Sequence, residues 1–440
     1  MPATVIRCAL SDLLLADLSV PVVFCYEHRL DEARLVEGFE RALAAVPVFA
    51  GHLRERGHEL EIVCDGTGAA FSARDVPFSM SEAIGRLTLP GSGLVDDVDA
   101  AEARAGRGPV LTVRVNRLTD GGTVLGCSWH HALGDMSSFM TFMRAWSAAA
   151  NGEDAAAGSP AAAAAPTIVA DREAFLDSAL PEKDSGRPGF RVVEPAQAAR
   201  LAEFAASSRL ANRLMQVYFG EEELERLRDA FAQEAGCHLS KGDALIAHLV
   251  SAIRTLDQDE EARYLTVPVD LRQRLSAPPD MIGNLLGEIH LRCPGQTAPS
   301  RLAAELRAAV RDFATEHLSL RTSRALLTEL APDGLANCVP LGFDPENRTF
   351  TASSWRGFGA AALAFDGHTP VLFSPAISLP LPWVTWITEG FDGRGALCTL
   401  SVPAHLAPRL RAPAGRALLH SHRDAADPLP PLASALRKIL

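Results

Sequence analysis

Short apolar runs alternate with segments in which apolar residues recur every three or four positions, and this alternation predicts a mixed α/β protein. Val22–Tyr26 reads as a strand. A helix should follow, capped by Asp31, running through Leu35, Phe39, Leu43 and Val46 and stopping at Pro47. Gly51 to Val63 carries two short polar–apolar alternations about Gly57, a hairpin pattern. A second hairpin is expected from Pro109–Leu118 and Thr123–Trp129, joined by Asp120-Gly121-Gly122. Directly after it, Phe139, Met140, Phe142, Met143 and Trp146 form the stripe of a helix lying on a core.

The second half repeats this mixture. Leu214–Phe219 reads as a strand, with helices from Glu221 and from a Ser240 cap, and Tyr264–Val269 is a strand that opens into Asp270-Leu271-Arg272-Gln273-Arg274. Helices at Arg301–Leu318 and Thr322–Leu330 precede strands at Arg348–Ser354, Pro370–Phe373, Val384–Thr388 and Ala396–Val402, and a helix from Ala404 leads into the tail. The pattern predicts an α/β sandwich of two similar halves rather than one wound sheet. Asn151–Pro166, rich in Ala, Gly and Pro, lacks bulky apolar periodicity and reads as a flexible segment near the domain boundary.

Composition narrows the function classes. With 440 residues, 48% of them hydrophobic, the chain is long enough for two cored domains. A net charge of −12 disfavours a general nucleic-acid or anionic-membrane surface. The eight cysteines are widely spaced without metal or redox pairing, which suits reduced thiols in a cytosolic compartment. Asp12 and Asp17 interrupt the first apolar stretch, so no secretory layout is expected there. No apolar run reaches the roughly 18 residues of a membrane span, and a soluble cytoplasmic protein is the expectation.

The chemistry concentrates in Trp129-His130-His131-Ala132-Leu133-Gly134-Asp135, between the exit strand of the second hairpin and the next helix. A neutral imidazole is suited to take the proton an alcohol or amine loses as it attacks a carbonyl. No Gly-x-Ser-x-Gly elbow is present, and Ser137 and Ser138 read as helix-capping groups. Asp135 can orient His131 as in a hydrolase triad, or form an outward-facing ion pair with Arg272 or Arg274. Ser353-Ser354-Trp355 offers hydroxyls and an indole N–H for an oxyanion, or Trp355 is a core aromatic. Asp366-Gly367-His368 reads as a turn before a strand. No metal site is expected, because no third or fourth ligand accompanies the histidine pair. A second His-x-x-x-Asp, His420 to Asp424, reads as a chance match on the surface.

With these landmarks in order, the chain resembles BAHD-type acyl-CoA-dependent acyltransferases, within the chloramphenicol acetyltransferase and condensation-domain superfamily. The resemblance spans nearly the whole chain. It rests on His130-His131-Ala-Leu-Gly-Asp135, similar to the family's HHxxxD, and on Pro47–Leu53, Ser240–His248, Val269–Leu275 through Gly283-Asn284, Ser353-Ser354-Trp355, and Gly395–Val402. It implies two chloramphenicol-acetyltransferase-like domains, at 1–170 and 211–440 with a crossover at 171–210, and a channel between them. It also implies that His131 is the general base in direct transfer and that Ser353 and Trp355 support the oxyanion. The motif Asp135 would be structural, paired with Arg272 or Arg274. The implied partners are acyl-CoA as co-substrate, with no permanently bound cofactor, and a small-molecule alcohol or amine, the protein acting as a monomer. The alternatives are a condensation-type transferase fed by a carrier protein and a non-catalytic binding protein on the same scaffold. Two departures stand out. Met136 replaces the family's Gly after the motif Asp, and the second signature survives only as Ala364-Phe365-Asp366-Gly367-His368-Thr369-Pro370.

Overall fold

The computed structural model describes residues 4–436 apart from 58, 90, 153–165, 185, 296, 331–333 and 378–382. The stretch read as flexible, Asn151–Pro166, therefore falls almost wholly outside the described residues.

Two sheets carry the fold. The first has five strands in the order Leu372–Pro375, Ser19–Tyr26, Thr123–His130, Leu111–Arg117, Ala69–Asp75. The second has six, ordered Asn212–Phe219, Ala396–Pro403, Val384–Glu389, Thr349–Ser354, Arg263–Asp270, Leu286–Cys293. Thr123–His130 lies in the middle of the first sheet and every one of its residues is buried. That explains why its few polar residues, Thr123, Ser128 and His130, are small or are held as in a core rather than charged.

Helices cover the sheets where the periodicity placed them. Asp31 caps Glu32–Ala45 by accepting from the N–H groups of Ala33 and Arg34. This helix packs against Met136–Ala150, with the Phe39 ring centroid 5.3 Å from Trp146 and 6.0 Å from Phe142. The approach is close at Gly38, where a Cβ would come within 2.6–2.7 Å of Ala150.

The halves interlock through an exchanged strand. Leu372–Pro375, from late in the chain, pairs antiparallel with Ser19–Tyr26, setting Phe373 opposite Phe24 with their rings stacked at 4.7 Å. The chain leading to it also belongs to the first core: Trp355, Ala360, Leu363 and Phe365 pack in one apolar cluster with Trp129 and Trp146.

Several elements escaped the sequence pattern. Ala69–Asp75 and Leu286–Cys293 are the outermost strands of their sheets, where charged residues such as Arg74, Glu288 and Arg292 interrupt the apolar run, as edge strands tolerate. The stretch 171–210 holds the helix Arg172–Ala179, a strand Phe190–Val192 paired with Cys338–Pro340, and most of the helix Pro195–Ala211. The expected helix Arg301–Leu318 is instead Pro299–Arg311 followed by a single π-turn at Phe313–His317. His420, expected on the surface, is mostly enclosed. Its Nδ1 lies 2.8 Å from the buried Glu223, which also accepts from Arg423 at 2.9 Å.

Candidate active site

The central strand ends in the histidine turn, and its neighbours hold the turn from both sides. The His130 N–H donates to the Val110 carbonyl at 2.8 Å, and the His131 N–H donates to that of Leu18 at 2.9 Å. His131–Leu133 form one 3-10 turn before the helix starts at Met136. Trp129 braces this turn from the strand side. Its indole stacks on Phe139 at 4.0 Å, and its Nε1 donates to the Gly134 carbonyl at 2.9 Å.

The carbonyls of the turn are held in sequence. That of His131 accepts from Asn284 at 2.9 Å, and those of Ala132 and Leu133 accept from the two terminal nitrogens of Arg172 at 2.8 and 2.7 Å. Asp12, with 1% of its surface exposed, joins the two supports. It accepts from Asn284 at 2.7 Å and lies 3.3 Å from the Arg172 guanidinium. Gly134 has extended backbone but needs to be small, since a Cβ there would sit 2.5 Å from the Cβ of Ser138.

Asp135 makes no hydrogen bond to His131 among the described residues. Its carboxylate instead forms two 2.9 Å bonds to Arg272 and accepts from the N–H groups of Ser138 and Leu285 at 3.0 and 3.1 Å. The ion pair is structural, but it is buried rather than outward-facing, and Asp135 itself caps the following helix. Ser138 therefore does not cap. Its hydroxyl is engaged by Asp135, Arg272 and the Gly283 backbone. Arg274 is not part of this cluster. It donates to the Asp270 carbonyl at 3.0 Å and lies over the Phe313 ring.

The two imidazoles differ. His130 is fully buried. Its Nδ1 accepts from the Ala132 N–H at 3.2 Å, and burial pushes its pKa down to about 4, so it is neutral at physiological pH. His131 keeps part of its surface open. Its Nδ1 is sealed, whereas among the described residues Nε2 makes no hydrogen bond and is not sealed. Dense packing lowers its pKa, opposed by its own carbonyl and by the charge of Asp135. The result is a neutral imidazole with one nitrogen open among the described residues.

Ser353 and Ser354 end the strand Thr349–Ser354, beside Trp386 and Ile387. Among the described residues, neither hydroxyl bonds to His131. Trp355 is buried in the cluster that also holds Ala132, Leu133 and Met136, and its indole N–H has no partner and is not sealed among the described residues. Met136 is the first residue of its helix, with its side chain in the core, so the position needs no glycine. Among the described residues, Asp366 makes no hydrogen bond or ion pair to the turn. It accepts from the Asp31 N–H at 2.7 Å and pairs with Arg34 at 2.8 Å, holding the start of an outer helix.

Of the supports, Asp12 was visible only as a charge interrupting an apolar run, and Asn284 only as part of Gly283-Asn284. Nothing in the spacing marked Arg172. Among the described residues, no group of three or more His, Cys, Asp or Glu is placed to hold a metal ion, and no helix is long and apolar enough to cross a membrane.

Two interlocked mixed sheets with a histidine turn braced between them define a chloramphenicol-acetyltransferase-like α/β protein. The model of the Transferase family matches residues 2–383, and the chain belongs to this family, the BAHD acyltransferases. It is 25% identical over 268 residues to rosmarinate synthase of Plectranthus scutellarioides, an alignment covering 59% of this chain and 58% of that enzyme. It is 24% identical over 433 residues to putrescine hydroxycinnamoyltransferase of Oryza sativa subsp. japonica, covering 88% of each. Among solved structures, TRI101 of F. sporotrichioides, complexed with coenzyme A and T-2, shares the fold with a TM-score of 0.73 at 17% identity, covering 93% of this chain and 97% of that one.

Proposed function

We propose that this protein transfers an acyl group from acyl-CoA directly to a hydroxyl or amine of a small-molecule acceptor, with His131 as general base. The observation that carries this reading is the contrast within the motif. His131 has a free Nε2 on a neutral ring, while Asp135 and the Ser138 hydroxyl are wholly engaged in holding the turn. A site with an available base and no activated nucleophile suits transfer without an acyl-enzyme.

In that reaction His131 Nε2 takes the proton of the acceptor as it attacks the thioester carbonyl, and returns it to the departing CoA thiolate. The unpartnered Trp355 indole N–H and the Ser353 hydroxyl are the donors assigned to the oxyanion. Acyl-CoA is co-substrate rather than resident cofactor, and the protein acts in the cytoplasm as a monomer. The free thiol state of Cys8, Cys25, Cys127, Cys293 and Cys398, all buried, supports a reducing compartment.

The test is release of CoA thiol from a panel of acetyl, malonyl, aliphatic and aromatic thioesters with pooled alcohols or amines. Thiol should appear only with acceptor present, and His131→Ala should lower the rate by about 10² to 10⁴. Full activity in His131→Ala would remove the base from the mechanism. Turnover only with a carrier-bound donor would establish the condensation-type reaction instead.

A further inference from the structure

The Asp135–Arg272 pair holds one end of the histidine turn, and a separate ionic network holds the other. Asp12 is buried and far from Asp135 in sequence, and it is tied to the turn by two routes. One runs through Asn284 to the carbonyl of His131 itself. The other runs through Arg172, whose two terminal nitrogens grip the next two carbonyls. Arg172 is the first residue of the helix that begins as the chain leaves its first half, and it is 3% exposed. A buried ion pair with no other contacts is a costly way to hold a fold. Apart from the Ala9 N–H that Asp12 accepts at the start of its own short helix, the hydrogen bonds of this pair run to the turn or to Asn284, which holds it.

Resting on the reading of His131 as general base, we propose that Asp12 and Arg172 are positioning residues for that base. Arg172 fixes the backbone that aims the imidazole, and Asp12 supplies negative charge toward which the imidazolium forms. The charged and titratable groups around His131 are then Asp12 with Arg172, Asp135 with Arg272, and the neighbouring His130, which stays neutral. Asp12 and Asp135 both act to raise the affinity of His131 for a proton, against the lowering effect of burial. Arg172 must be an arginine. Lysine carries the charge but cannot span two carbonyls with a planar fork.

The experiment uses the full chain with Arg172→Lys and Asp12→Asn. The His131 imidazole is titrated by NMR, and kcat, KM and pH profiles are taken from the CoA-thiol assay. Arg172→Lys should lower kcat by about 10- to 100-fold, with KM for the thioester moving less than about twofold, because misaim costs the chemical step rather than binding. Asp12→Asn should move the His131 titration and the acid limb of kcat/KM to lower pH, since the charge that favours the imidazolium is gone. A shift of this kind is not expected from a residue that merely packs. If Arg172→Lys does not fold, the Asp12→Asn titration alone decides. An unmoved His131 titration in Asp12→Asn, or kcat within twofold of wild type in Arg172→Lys, overturns the proposal. A wild-type chain that turns over no thioester refutes the acyltransferase reading, and the NMR titration then tests the positioning role by itself.

Discussion

Arg272 meets Asp135 through two hydrogen bonds of 2.9 Å each, with both side chains almost wholly buried. The guanidinium also donates to the carbonyls of Met281 and Gly283, so no charge or donor is stranded on the face toward the second half. Removing one partner leaves the other charged and sealed, which typically costs about 3–5 kcal/mol. Arg272→Ala should therefore lower the unfolding free energy by about that amount in a urea titration. Arg274→Ala should cost less than about 1 kcal/mol, because it loses only an exposed carbonyl bond and a cation–π contact. Equal losses would show that the pair is not the anchor.

Asp366 tests whether the degenerate second signature carries chemistry. Its carboxylate accepts the Asp31 N–H at the start of the helix Glu32–Ala45 and pairs with Arg34. Asp366→Ala should cost about 1 kcal/mol, the usual value for a helix N-terminal acceptor, and leave kcat unchanged. A tenfold fall in kcat with normal stability would give the segment a part in catalysis.

The contrast between these carboxylates shows what the sequence could reveal. The histidine turn was legible in its place because the apolar run 123–129 and the stripe 139–146 fix a strand end and a helix start around His131, whatever else the chain does. The partner of Asp135 could not be chosen, since Arg272 and Arg274 differ by two positions on a bend whose course depends on Leu285 and Gly283. Arg172 was invisible for a different reason. Its role comes from two backbone carbonyls of a remote turn, and carbonyls leave no mark in residue type. The edge strands Ala69–Asp75 and Leu286–Cys293 were hidden by the charges that keep such edges from pairing elsewhere.

His130 predicts how stability depends on pH. Burial lowers its folded pKa to about 4 from an unfolded value near 6.5, so the folded state binds fewer protons between these limits. Its contribution is complete above the unfolded pKa and is lost as the pH falls from about 6.5 through about 4. At full extent it amounts to on the order of 3 kcal/mol. Urea midpoints across this window should fall more steeply for wild type than for His130→Gln, which cannot take up the proton. Parallel slopes would mean that the ring is hydrated or charged in the folded protein.

Gly134 and Met136 flank Asp135, and the family's expected glycine is missing at Met136. The two positions answer to different constraints. At Gly134 the backbone is extended and open to any residue, but a Cβ would press on the Cβ and hydroxyl of Ser138 at 2.5 and 2.6 Å. Ser138 cannot yield, because Asp135, Arg272 and Gly283 hold its hydroxyl. Met136 starts a helix and fills the core cluster that also holds Trp129. Gly134→Ala should thus cost about 1–3 kcal/mol through overpacking, and should also displace the turn that carries His131, lowering kcat. Met136→Gly should cost about 2–5 kcal/mol through an emptied core site. Its turn carbonyls stay held, so the His131 titration measured by NMR should match wild type. The reverse outcome, with an unaltered His131 in Gly134→Ala and a shifted one in Met136→Gly, would show that residue 136 rather than 134 sets the geometry of the turn.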